Sequence, residues 1–294
     1  MRTILFVAIA WFAVGFSLPA HAEVDWSKVG VALGKEGVVA PGGVYRVGLP
    51  RSDLHVSVDG IVLKPALALG GWLAFKSMGD EAMVMGDLVL TEDEVNAVMT
   101  RLEENGIEIT ALHNHLLRAT PNTMYMHILG HGDPVKLAAI LNQALAASRT
   151  PLKATSAAAQ PQALDLDTAA IDRTLGFKGK VVGGVYQVAV PRGDTISDGG
   201  MPVPAAMGSA NAINFQPLGG GKAAIAGDLV LTAREVNPVL RALRENGIEV
   251  TAVHNHMLDD QPHVFFMHFW AHDDAVRLAK GLRAALDKTN VVIQ

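Results

Sequence analysis

Histidine is the residue type most able to do chemistry in this chain. Eight of its 11 histidines fall into two matched sets. One is His113, His115, His127 and His131. The other is His254, His256, His268 and His272, displaced by a constant 141 residues. Each set begins with His-Asn-His and continues with a histidine pair spaced i, i+4. Alternate side chains of a strand share a face. His113 and His115 are therefore expected on one face with Ile107, Ile109 and Ala111. In the next strand His127 and His131 share a face with Tyr125 and Leu129, as do His268 and His272 with Phe266 and Trp270. If the two strands pair, four imidazoles converge in each copy. This spacing suits a transition-metal site, and imidazole suits zinc, copper, nickel or iron. His131 also precedes Gly132-Asp133-Pro134, a helix-start signal. A helix N-terminus disfavours imidazolium, and the neutral ring is the one that binds metal.

Two other readings stand beside the metal site. The histidines could line a polar pocket for a small ligand, or they could form a buried hydrogen-bonding network. Each buried imidazole needs a partner, which makes the retention of four per copy informative. Neighbouring positions have diverged: Met124-Tyr125-Met126 corresponds to Phe265-Phe266-Met267.

Four carboxylates also recur: Asp87, Asp228, Glu94 and Glu235. Any of them could ligate a metal, support a ligand or act as a general base. Glu94 and Glu235 are explained first as capping-box partners of Thr91 and Thr232. They are weak candidates for a catalytic base if a metal keeps an open position. Arg51 and Arg192, in Pro-Arg-x-Asp, would bind an anionic ligand or close a surface turn through a salt bridge. His55 and His263 have no counterpart in the other copy. There is no phosphate loop, dinucleotide fingerprint or Gly-x-Ser-x-Gly elbow, so no nucleotide cofactor is expected. The absence of cysteine excludes thiolate ligands and nucleophiles.

These residues must be positioned by a duplicated domain. Gly42 to Val47 matches Gly183 to Val188, and Gly86 to Leu90 matches Gly227 to Leu231. Two copies at this period indicate tandem domains rather than a solenoid. The Ala-, Ser-, Thr- and Pro-rich segment 148–163 reads as a linker. The expected layout is a signal peptide over 1–22, a first domain over 23–147 and a second over 164–294. Arg2, an apolar run from Ile4 to Phe16, and Ala20-His21-Ala22 fit a secretory leader cleaved before Glu23. That run is shorter than the roughly 18 residues of a membrane span. A formal charge of −5 with no basic block excludes an electrostatic footprint for nucleic acid.

Within each copy, Asp25 to Leu33 and Asp165 to Leu175 read as short helices ended by glycine. Val44 to Leu49 and Val185 to Val190 read as strands, and His55 to Leu63 as a hairpin turning on Asp59-Gly60. Trp72 to Phe75 and Ala82 to Leu90 read as further strands. Thr91 opens a helix that stops at Asn105-Gly106. Pro238 either kinks the matching helix or marks a later start behind Asn237. Strands over Ile107 to His115 and Met124 to His131 follow, then a helix opened by Asp133-Pro134, matched by Asp274 to Leu286. Consecutive strands with short turns favour antiparallel pairing. The fold class is α+β, with two tandem homologous domains, each a mainly antiparallel sheet flanked by helices.

The run Gly-Asp-Leu-Val-Leu-Thr-x-x-Glu-Val-Asn, then Glu-Asn-Gly-Ile-Glu-x-Thr-Ala-x-His-Asn-His, then Met-His-x3-His, resembles the LppY/LpqO family of bacterial exported proteins. The resemblance implies an envelope location and the duplicated architecture, and it brings no established catalytic residue. Named members of that family are lipoproteins, whereas this chain lacks a lipobox cysteine. The functional expectation is an exported, periplasmic or secreted protein with a zinc, copper or other transition-metal cluster in each domain. The alternatives are an envelope module that binds a small molecule without catalysis, and a structural or interaction protein. The two domains are expected to pair within the chain.

Overall fold

The computed structural model describes residues 24–153 and 164–292. The expected leader lies outside the described residues, as do positions 154–163 of the linker. The first copy contains α1 (Trp26–Leu33), β1 (Val38–Ala40), β2 (Val44–Pro50), β3 (Ser57–Val58), β4 (Ile61–Val62), α2 (Pro65–Ala68), β5 (Gly70–Met78), β6 (Glu81–Thr91), α3 (Glu92–Glu103), β7 (Glu108–His113), β8 (Thr123–Gly132) and α4 (Pro134–Leu145). The second contains α5 (Thr168–Leu175), β9 (Lys180–Val182), β10 (Val185–Val190), β11 (Ser197–Asp198), β12 (Met201–Pro202), a 3-10 turn (Ala205–Met207), β13 (Asn211–Gly219), β14 (Lys222–Thr232), α6 (Ala233–Glu245), β15 (Glu249–His254), β16 (Asp260–Gln261), β17 (Val264–Asp274) and α7 (Ala275–Leu286).

Each copy builds a six-stranded sheet. The orders are β1-β2-β5-β6-β8-β7 and β9-β10-β13-β14-β17-β15, so the two sheets are topological copies. All the pairings within them are antiparallel. The expected α+β class and duplicated layout therefore hold.

The sheets are buried on both faces, for different reasons. On one face Val84, Leu88 and Leu90 of β6 and Met126 and Ile128 of β8 pack under α1, α3 and α4. Its equivalent in the second domain is covered by α5, α6 and α7. The opposite faces meet each other. Met83, Met85 and Leu129 of the first domain pack with Val230, Met257 and Phe266 of the second. Val89 and Tyr125 pack with Ala224, Ala226 and Trp270. The molecule is thus layered as helices, sheet, sheet, helices. Period-two alternation along β6 and β14 assigns the residues to these two interfaces.

Local chemistry fixes the element ends. Both Thr91/Glu94 and Thr232/Glu235 make full capping boxes. Asp133 accepts a hydrogen bond from the Lys136 backbone at 2.8 Å, with Pro134 in the first turn. Pro238 lies inside α6 rather than at its start, because the Thr232 box already caps the helix. The β3–β4 hairpin turns on Asp59 and Gly60, both at positive φ (50° and 79°). This is the backbone that a two-residue hairpin with the matching twist requires. The second copy repeats the hairpin as β11–β12 on Gly199-Gly200, which the divergent sequence there conceals. Among the described residues no helix is long and apolar enough to cross a membrane.

Candidate metal centre

The histidines reach their positions through a fault in a strand. In β7 the register runs Ile109 opposite Ile128, then Ala111 opposite His127, leaving Thr110 unpaired. Such a bulge inserts one residue and reverses the face of everything after it. Ile107 and Ile109 therefore pack under the helices. His113 comes opposite Tyr125, on the face that meets the other domain. In β15 the same slip occurs at Thr251, between Val250 opposite Phe269 and Ala252 opposite His268. The expectation that Ile107, Ile109, His113 and His115 share one face is corrected by this bulge. His115 and His256 lie just beyond their strands.

The bulged threonines tie the domains together. Thr110 Oγ1 donates to the His256 carbonyl at 2.6 Å, and Thr251 Oγ1 donates to the His115 carbonyl at 2.5 Å. The Asn255 amide donates to the Thr110 carbonyl at 2.8 Å. Each domain thus holds the backbone that carries the other's histidines.

Six histidines consequently lie together between the sheets, three contributed by each domain. His113 and His254 stack with ring centroids 3.4 Å apart. His115 lies 3.7 Å from His268, and His127 lies 3.7 Å from His256. These equal distances express a pseudo-twofold axis between equivalent residues. Tyr125 backs His115 at 3.3 Å as Phe266 backs His256 at 3.3 Å. The ligand atoms of His113, His254, His256 and His268 all lie within 4.8 Å of one another, as do those of His113, His115 and His127. Nitrogens bound to one tetrahedral zinc at about 2.0–2.1 Å stand roughly 3.3–3.4 Å apart. The widest separations would therefore have to close by up to about 1.4 Å, shared between two side chains.

Hydrogen bonds to the Nδ1 side orient several of these rings. His113 Nδ1 faces the Asn114 carbonyl at 3.2 Å, and His254 Nδ1 faces the Asn255 carbonyl at 3.0 Å. His268 Nδ1 faces the Gly227 carbonyl at 2.8 Å. A ring that donates from Nδ1 presents its Nε2 lone pair inward, the tautomer a metal ligand needs. The Nε2 atoms of His115, His254, His256 and His268 are buried without a hydrogen-bond partner. His113 Nε2 and His127 Nε2 stand 3.0 Å apart, able to share one proton or one cation.

Asp87 and Asp228 border the cluster. Asp87 sits opposite His127 in the β6–β8 register, and Asp228 sits opposite His268. Asp87 Oδ2 is 3.9 Å from His115 Nε2, and Asp228 Oδ2 is 3.4 Å from His256 Nε2. Both Oδ1 atoms are buried and unpartnered. Burial pushes the Asp87 carboxyl up to about 7, against the pull of Arg46. Burial and then the Asp87 charge raise Asp228 well above the usual carboxylate range. Burial lowers His113 to about 4. Burial, reinforced by His113, lowers His254 to about 3. The other four rings are held well below the ordinary value by burial and then by neighbouring histidines. The rings are therefore neutral and available as donors at neutral pH.

His131 and His272 do not join the cluster. They share the strand face with His127 and His268, as expected, but both are exposed. Four residues of strand span roughly 13 Å, too far for a common ion. Glu94 and Glu235 also lie apart from it. Glu94 is bound by Arg51 at 2.7 Å and by the Thr91 backbone at 3.0 Å. Arg192 holds Glu235 at 2.9 Å. Arg51 and Arg192 are buried and paired with these carboxylates and with Asp53 and Asp194, so they are not surface-turn residues. The ion pairs occupy the guanidinium groups that an anionic ligand would need. Sequence reasoning missed the bulges. Alternation does not reveal them, because the isoleucines and the histidines fall on the same parity.

Solved structures give only faint likenesses. A trimeric bacterial microcompartment shell protein, PduB, is 12% identical, with 88% of this chain and 97% of that chain covered and a TM-score of 0.22. EtuB from Clostridium kluyveri is 10% identical, with 86% and 91% covered and a TM-score of 0.20. At these scores neither carries an argument. Among curated proteins none matches. A family described as Domain of Unknown Function (DUF1259) matches twice, over residues 27–147 and 169–288.

Proposed function

From a chain that belongs to the family described as Domain of Unknown Function (DUF1259), we propose a metal-binding protein whose two domains jointly hold a transition metal of the zinc or copper class. The ligands are drawn from His113, His115, His127, His254, His256 and His268. One observation carries this reading: four imidazole nitrogens within the six-histidine cluster are buried with no hydrogen-bond partner. Leaving such groups unpaired costs about 1–3 kcal/mol each, and metal coordination removes that cost. The occupied Arg51 and Arg192 guanidinium groups weigh against an anion-binding module.

The leader-like residues 1–22 and the resemblance to the LppY/LpqO exported proteins support a periplasmic or secreted setting. The domain bounds 23–147 and 164–294 follow the same reading. The test is elemental analysis of the full chain, exported by its own leader and purified without chelator. Zinc or copper bound to the wild type, and depleted in His254→Ala/His268→Ala, is the expected result. Absence of metal, with melting unchanged by added zinc or copper, overturns the proposal.

A further inference from the structure

The cluster contains more donors than one ion can use. A tetrahedral zinc takes four ligands. Six imidazoles and two carboxylates face the same interface, and the pseudo-twofold axis provides each donor with an equivalent. The imidazole donors fall into two overlapping groups, with His113 alone common to both. His113, His115 and His127 come from the first domain, and His254, His256 and His268 from the second. Each triad has one carboxylate beside it, Asp87 or Asp228, at 3.9 Å and 3.4 Å from the nearest ring nitrogen of its own domain. Two ligands on one tetrahedral ion stand roughly 3.3–3.6 Å apart, so the Asp228 spacing already fits and the Asp87 spacing needs to close by a few tenths of an ångström. Both carboxylates keep a buried Oδ1 without a partner.

We infer that the centre holds two metal ions, each bound by three histidines and one aspartate of a single domain, with Asp87 and Asp228 as the fourth ligands. This rests on the metal-binding reading above and adds the number of ions and the carboxylate ligands. Polar satisfaction favours it. Each aspartate keeps a buried Oδ1 with no hydrogen-bond partner among the described residues. A buried polar group needs a partner. Two cations supply one at both ends of the axis. The bulges at Thr110 and Thr251 have a role here too, since they turn His113 and His254 onto the sheet face that carries the aspartate of their own domain.

Metal-free full-length protein would be titrated with Zn(II) alone, and with Cu(II) alone for electron paramagnetic resonance. The wild type should bind two ions per chain, and two adjacent Cu(II) ions should couple and weaken the ordinary mononuclear signal. Asp87→Asn/Asp228→Asn is nearly isosteric. It should weaken binding by more than about tenfold, the lower end of the loss when a group that merely supports a ligand is removed. One ion per chain in the wild type overturns the paired centre and leaves the shared metal site standing. Two ions with affinity unchanged in the double variant overturn the carboxylate assignment. No bound ion overturns the metal site itself. If the double variant fails to fold, the wild-type stoichiometry and copper signal still decide.

Discussion

His113 and His254 stand 141 residues apart in the chain and stack with ring centroids 3.4 Å apart. The contact crosses the domain interface, so neither domain holds the six-histidine cluster alone. Metal binding should therefore couple to whole-chain stability. A ligand that binds only the folded state adds about 2.7 kcal/mol at a hundredfold excess over its Kd. Zinc or copper should raise the melting temperature of the wild type. The rise should shrink in His254→Ala/His268→Ala and persist in full in His131→Ala/His272→Ala. Differential scanning calorimetry with and without metal checks this, and loss of the rise in the second pair would contradict the cluster's composition.

The cross-domain threonines should matter separately from the histidines. Thr110→Val and Thr251→Val each remove a hydroxyl that donates to a histidine carbonyl of the other domain. Each should cost roughly 0.5–1.5 kcal/mol. The double variant should lower metal affinity more than either single change, because both bonds hold the same interface. Denaturant unfolding and zinc titration of the three variants measure this.

Arg51 is fully buried and donates to Glu94, Asp53 and the Val89 carbonyl. Arg51→Met strands a buried carboxylate and a backbone acceptor. The expected loss is about 3–5 kcal/mol in urea unfolding. Arg51→Lys should recover only part of it, since an ammonium cannot reproduce the two-pronged contact with Glu94. Metal stoichiometry of the folded fraction should not change.

Acid should act through Glu94. Burial alone would raise its pKa, but the hydrogen bonds from Arg51, then from the Thr91 and Arg149 backbones, outweigh that and hold it at about 2. A carboxylate with a depressed folded pKa contributes stability that is present above its unfolded value and lost as pH falls through the folded one. Metal-free protein should therefore lose stability between about pH 4.5 and pH 2. Glu94→Gln should start lower and flatten that limb. Denaturant midpoints across this range provide the measurement.

Much of the architecture was legible because it rests on local rules. Capping boxes, Asn-Gly stops and the alternation along β6 and β14 read directly as helices and strands. Asp59-Gly60 announced its hairpin. The second hairpin was hidden because Gly199-Gly200 sits in a segment where the copies diverge. Pro238 was ambiguous because the strong Thr232 box had to be weighed against a weaker start at Asn237.

The sequence by itself determined the duplication, the α+β class and the recurrence of the histidines, since repeats and periodicity are properties of the chain. It also offered Asp87 and Asp228 beside Glu94 and Glu235, and explained only the glutamates, as capping-box partners. Only the tertiary structure decided which of these meet. The bulges at Thr110 and Thr251 reverse a face, and a one-residue slip leaves no mark in a count of alternate positions. The rise along β8 and β17 separates His131 and His272 from the cluster. The packing of sheet on sheet then merges two sets of histidines into one interface, because that contact lies between residues 141 positions apart.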